Sequence, residues 1–160
     1  MWSHQLCLSL SLPKLRRIGS FRPFLAVEVA AELACSRILS GIDYCNSLLA
    51  GITSEQIARL QKMQNHAARL TFRKKRHDHA TPLFNKKLHW LPVLECIVFK
   101  LATFSFHYFV GTLPPYFPCC LSSYSSSRSL LSSFQKRLTV PRVNLKGNGA
   151  RSFQHQAPLI

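Results

Sequence analysis

The sequence predicts a mainly α fold: a small helical bundle leading into an irregular, partly β C-terminal tail. Three observations carry this. Apolar residues recur at three- and four-residue steps over long stretches between Pro13 and Gly111, the period of one helical face. Helix punctuation falls where those stretches begin and end, with Thr53 three residues before Gln56 and glycines at 41, 51 and 111. Beyond Gly111 the pattern stops, because three prolines in the five residues 114–118 remove backbone donors and fix φ.

Residues 1–12 differ in character from the rest of the chain and read as an unrelated or disordered leader. Their opening, "MWSHQLCLSLSLPKLRR", has an apolar run, but its cations come after that run where a secretory signal has them in front. The helical segment proper is expected over 13–121. Within it, "FLAVEVAAELACSRILSG" (24–41) is a helix with its stop at Gly41. "IDYCNSLLAG" (42–51) is a second, short one. Asp43 has a cap-type side chain, whose carboxylate can accept backbone N–H groups of the turn after it.

"ITSEQIARLQKMQNHAARLTFRKKRH" opens with the capping box Thr53–Gln56 and places Glu55 at the positive end of the helix dipole. Ile57, Leu60, Met63, Ala67 and Leu70 form one apolar stripe. Arg59, Lys62, His66, Arg69 and Arg73 repeat in the same rhythm two residues out of step, about 200° around the helix. They form a basic rail that runs into Lys74, Lys75 and Arg76. "TPLFNKKLHWLPV" (81–93) is a short helical turn with a bend at Pro92. The apolar helix after it, to Gly111, carries Glu95, Lys100 and His107 and reads as a buried core helix, not a membrane span. Residues 122–135 are a Ser-rich connector. In 136–160, "RLTVPRV" is an edge-strand candidate and "GNG" (147–149) a turn.

The charge is the strongest functional clue. Twenty-one Lys and Arg against six Asp and Glu give +15 and a pI near 10.2, so polyanions are the natural partners, nucleic acid first and an anionic membrane second. A hydrophobic content of 47% argues against wholesale disorder. The six cysteines, Cys7, Cys35, Cys45, Cys96, Cys119 and Cys120, contain no C-x-x-C. Four lie in apolar helix-like stretches, so they read as buried free thiols of a reducing, intracellular compartment.

Seven stretches, in order, resemble one family: "LRRIGSFRPFL", "LSGIDYCNSLLAG", "LQKMQNHAARL", "HDHATPLFNKKLHWLPV", "GTLPPYF", "SSRSLLSS" and "VPRVNLKGNGARSF". The chain is similar to the RNA-directed DNA polymerase of non-LTR (LINE-type) retrotransposons. The similar part, residues 13–160, is the thumb and the segment after the palm. Family members usually have Arg before the Leu-Asp-Tyr-Cys-Asn run, whereas here Gly41-Ile42 precede Asp43. The resemblance implies a thumb-like bundle, catalytic aspartates upstream of this segment, and fingers, palm and endonuclease outside it. On this reading the chain is not an enzyme by itself. Its family-motif residues are Asp43, Tyr44, Cys45, Asn46, Gln64, Asn65, His89, Trp90, Leu91 and Pro92. A nuclear site is implied, with "RKKR" (73–76) a matching short motif.

Candidate sites divide by their chemistry. Two-metal polymerase chemistry needs carboxylates close together. Glu28, Glu32, Asp43, Glu55, Asp78 and Glu95 include no adjacent pair, so no catalytic residue is expected and Asp43 is structural. His77, His79, His89 and Cys96 match no zinc-finger spacing, so no metal and no cofactor are expected. Trp90 reads as a core anchor beneath the bend, with base stacking as the alternative. The basic rail is the functional candidate: Arg59, Lys62, His66, Arg69, Arg73, Lys74, Lys75 and Arg76 on the backbone of RNA, DNA or an RNA–DNA duplex. The competing readings are a relic open reading frame with no selected function and an interaction module built on the helix at 93–111.

Overall fold

A computed structural model describes residues 2–44, 46–117, 120–125, 136–144 and 149–160. The fold is mainly α. The helices are α1 (Trp2–Phe21), α2 (Val27–Ala34), α3 (Ser40–Asp43), α4 (Ser54–Thr71), α5 (Thr81–Leu83), α6 (Val93–Val110) and α7 (Phe153–Gln156). Two compact units divide the chain. The first comprises Met1–Asn46 with Ile52–Cys96, and the second Ser47–Gly51 with Ile97–Ile160.

In the first unit α1 and α2 pack on α4. Small residues make this close approach possible: Ala30 and Ala34 of α2 and Ala67 and Ala68 of α4 are all at most 1% exposed. Leu15 and Ile18 of α1, and Leu60 and Met63 of α4, complete that core. A satellite cluster of Ala68, Ala80, Leu83 and Phe84 is covered by Phe72, Leu88 and Trp90.

Several expectations are corrected here. Helix α1 runs from Trp2 through Pro13 to Phe21. Gly41 does not stop its helix. A π-helical stretch, Cys35–Leu39, carries α2 directly into α3, and Gly41 lies inside the latter. Ile38 and Ile42, buried on that segment, give a packing reason for the helix to continue past a stop signal. The break expected at Pro92 comes earlier, at His89, which takes a left-handed φ of 52°. The described thiols are not buried: Cys35 is exposed, and Cys96 and Cys120 are half-buried.

The second unit has an aromatic core. Phe104 stacks on Phe117 at 5.2 Å, and Phe153 meets both edge-on at 5.7 Å. The C-terminus of α6 closes as expected at Gly111 (φ 77°), where Thr112 N–H reaches His107 O and Gly111 N–H reaches Tyr108 O, a Schellman motif. The tail contributes no strand among the described residues. A single antiparallel bridge joins Ser123 and Leu138, held by Tyr124 N–H to Arg137 O and Thr139 N–H to Ser122 O, both 2.8 Å. Most of the Ser-rich connector (126–135) and the turn at 147–148 lie outside the described residues.

The helix α6 also departs from expectation. Only 17% of its apolar 18-residue window is buried. Val93, Ile97 and Leu101 face inward. The neighbouring row at i+4 spacing, Leu94, Val98, Ala102, Phe106 and Val110, is exposed throughout. By length and composition it is the one described helix that could cross a membrane. Periodicity cannot reveal this exposure, because a helix apolar on every side looks the same with or without a neighbour.

Candidate nucleic-acid interface

The interface candidate starts with the cap of α4. Gln56 N–H donates to Thr53 Oγ1 (3.4 Å) and Thr53 N–H to Gln56 Oε1 (3.3 Å), the reciprocal box read from the sequence. The apolar stripe then buries Leu60, Met63 and Ala67, which turns Arg59, Lys62 and His66 to solvent.

Beyond His66 the rail is not a uniform row. Arg59 is paired with Glu55 at 2.7 Å, both well exposed, a contact worth little on its own. Arg69 is half-buried, and its Nε donates to Asp78 O at 2.7 Å. Helix α4 ends at Thr71, so Arg73 is not on its face. Instead Arg73 occupies the left-handed C′ position (φ 51°), with Lys74 N–H on Arg69 O and Arg73 N–H on Leu70 O. Its guanidinium donates to Arg22 O (3.1 Å) and Pro23 O (2.7 Å). Arg69 and Arg73 therefore hold backbone, and the solvent-directed cations are Lys62, Lys74, Lys75 and Arg76, all exposed. Asp78 shapes their loop: Lys75 N–H donates to its carboxylate at 2.9 Å, and Asp78 N–H returns to Lys75 O at 3.1 Å.

Seven Lys and Arg face two acids between residues 54 and 78, and this surplus registers on His66. Partial burial, then the charges of Arg69 and Arg76, hold its imidazole below the usual histidine range. Near neutral pH His66 is a neutral member of a cationic surface.

Arg22, unremarked in the sequence, anchors the far end of α4. Although 5% exposed, it donates Nε to Leu70 O (3.0 Å) and Thr71 O (3.1 Å), and Nη2 to Thr71 O (2.5 Å). Its Nη1 donates to Leu25 O at 2.7 Å. Thr71 contributes a last-turn carbonyl at the negative end of the helix dipole, and Leu70 O is shared between Arg22 and the capping Arg73 N–H. A buried guanidinium supplies that end with both donors and positive charge. The only sequence signal is an Arg-Pro pair.

The family-motif residues lie far apart in sequence but meet in space. Asp43, Asn46, Gln64, His89, Trp90 and Leu91 all line one open cavity of about 400 Å³. Asp43 is the last residue of α3, and its carboxylate accepts from Asn46 Nδ2. Gln64, 3% exposed, donates to Leu91 O at 2.7 Å. Gln61, which the sequence did not single out, donates to Gln64 Oε1 and Asn65 Oδ1 (both 3.0 Å). It also accepts Val93 N–H at 2.9 Å, an orphan donor of the first turn of α6. Trp90 is half-buried at 6.1 Å from Phe84, as an anchor of the satellite core. Although Cys35 is exposed as a residue, partial burial of its sulfur raises the thiol above its ordinary range, and a hydrogen bond with Trp90 offsets part of that rise. Tyr44 is exposed on the surface, and Pro92 is half-buried. Cys45 lies outside the described residues.

Among the described residues no three His, Cys, Asp or Glu side chains form a group that could hold a metal ion. No family model, curated protein or solved structure matches the chain.

Proposed function

We propose that the chain is a thumb-type segment of a LINE-type retrotransposon reverse transcriptase that grips nucleic-acid backbone without performing chemistry. The carrying observation is the solvent-directed basic run of Lys62 on α4 and Lys74, Lys75 and Arg76 in the loop held by Asp78. The ordered family motifs support the assignment, and the net charge of +15 supports a polyanionic partner. Lysine and arginine side chains on an exposed helix face and loop suit phosphate contact, so the grip is sequence-tolerant. Nuclear localisation and the remaining polymerase domains belong to this same reading.

The test is fluorescence anisotropy with a labelled RNA–DNA duplex. Changing Lys62, Lys74, Lys75 and Arg76 together to Gln removes the side chains that contact phosphate and leaves Arg69 and Arg73 to hold the fold. Four phosphate contacts give a log–log salt slope of about −3.6 on duplex, so wild-type affinity falls roughly 100-fold between 50 and 200 mM salt. The quadruple variant binds weakly with a shallow slope. An unchanged affinity and slope in the variant defeats the proposal.

A second reading rests on α6. Its exposed row Leu94, Val98, Ala102, Phe106 and Val110 is the pattern of a helix that seats in a partner's groove. The same quadruple variant discriminates, since partner binding through α6 does not depend on Lys62 or the loop.

A further inference from the structure

A second groove, of about 250 Å³, lies within the first unit beside α1 and α2. Its apolar lining is Ile18 and Phe21 of α1, Leu25 before α2 and Leu33 in it. Ile18 is buried, Leu25 and Leu33 are half-buried and Phe21 is 61% exposed, so the lining grades from core to surface. Lys14 and Arg17 of α1 and Arg37 of the π-helical stretch complete it.

Among the described residues no acid lines this groove, and none of its three cations forms an ion pair. Residues 1–27 hold no Asp or Glu at all. Glu28 and Glu32 of α2 are exposed and stay off the lining. Arg22 and Arg69 spend their guanidinium groups on carbonyls, whereas Arg17 and Arg37 are exposed and open to a ligand.

Cations around an aliphatic lining fit an anion that carries hydrocarbon. A bare phosphate would leave Ile18, Leu25 and Leu33 uncovered. A nucleic-acid strand would bring phosphates, but its bases stack on aromatic faces, and three of the four apolar residues here are aliphatic. The adjoining surface points the same way. Phe24, between Phe21 and Leu25 in the chain, is 86% exposed, and Val27 and Val29 are exposed as well. Exposed apolar side chains grouped within residues 21–29 and flanked by cations suit a lipid–water interface.

We propose that this part of the first unit docks on an anionic phospholipid bilayer. The lipid phosphate sits among Lys14, Arg17 and Arg37, whose stems lie along apolar surface while their charged ends reach it. Its acyl chain begins against Ile18, Leu25 and Leu33, and Phe21 and Phe24 enter the headgroup layer. None of these residues belongs to the basic rail, so the site goes beyond the duplex grip and stands or falls apart from it.

The test is sedimentation of the full chain with vesicles of phosphatidylcholine, alone or with about one-third phosphatidylserine. Binding requires the anionic lipid. Changing Arg17 and Arg37 together to Gln, both at exposed positions, weakens it roughly 25-fold, at about fivefold for each cation near an anionic surface. Lys136→Gln with Arg142→Gln removes the same charge from exposed positions elsewhere and has a much smaller effect. Phe24→Ser removes the part of binding that survives about 0.5 M salt, where charge attraction is screened. Equal losses from the two charge pairs would overturn the proposal, leaving attraction by net charge alone. So would unchanged binding by Phe24→Ser, or a double variant of Arg17 and Arg37 that loses single-stranded RNA while it still binds vesicles as the wild type does.

Discussion

Replacing Arg22 with Met tests whether the end of α4 depends on a buried guanidinium. The substitution keeps the side chain's length and removes every donor, so the carbonyls of Leu25, Leu70 and Thr71 lose the N–H groups that reach them at 2.5–3.1 Å. Thr71 is 1% exposed, so water cannot replace those bonds without opening the packing of α1 on α4. The buried Thr71 carbonyl is left without these donors, whereas Leu25 O is only part-buried and Leu70 O keeps Arg73 N–H. At about 1–3 kcal/mol for such a buried group, the loss is about 2 kcal/mol. In a unit of this size that lowers Tm by roughly 8 °C or more. Arg22→Lys retains a charge but not the planar fork, and falls about midway. Urea melts monitored by circular dichroism at about 222 nm, where the helical backbone absorbs, provide the readout. A burial cost that cancels the bonds would leave Arg22→Met within about 0.5 kcal/mol of wild type. That result would refute the claim that this residue secures the helix terminus.

Three further outcomes are expected. His66 is held below its ordinary range in the folded chain, so the unfolded state binds its proton first. Stability therefore declines as pH falls through about 6.5 towards 5, and His66→Gln flattens that part of a pH series of urea midpoints. Arg73 sits at φ 51°, where a non-glycine residue is strained by about 1 kcal/mol. Arg73→Gly should thus remain about 1 kcal/mol more stable than Arg73→Ala in chemical melts, although both lose the bonds to Arg22 O and Pro23 O. Val98→Gln with Phe106→Gln on the exposed row of α6 should change stability by less than about 1 kcal/mol and raise solubility measured by light scattering. A large loss would restore the core-helix reading of that segment.

What the sequence revealed and what it hid divide along local and long-range lines. The capping box at Thr53, the stripe through Leu60, Met63 and Ala67 and the stop at Gly111 were legible because each is settled within one or two turns. Gly41 misled because Ile38 and Ile42 bury on the same segment and draw the helix through it. The rail was legible as charge but not as geometry. Its arginines at 69 and 73 are spent on the carbonyls of Asp78, Arg22 and Pro23, contacts that no spacing announces. Arg22 and Gln61 were missed for the same reason, since each meets partners about 30 to 50 residues away. The motif residues were read as structural one by one. Their meeting at a single cavity depends on α3, α4 and the bend at His89 being brought together.

Lysine acetylation footprinting with and without an RNA–DNA duplex tests the central claim most directly. Lys62, Lys74 and Lys75 should be protected by the duplex while Lys100 and Lys136 continue to react. Protection spread evenly over all of these lysines, or found on none, would contradict a backbone grip centred on α4 and its loop.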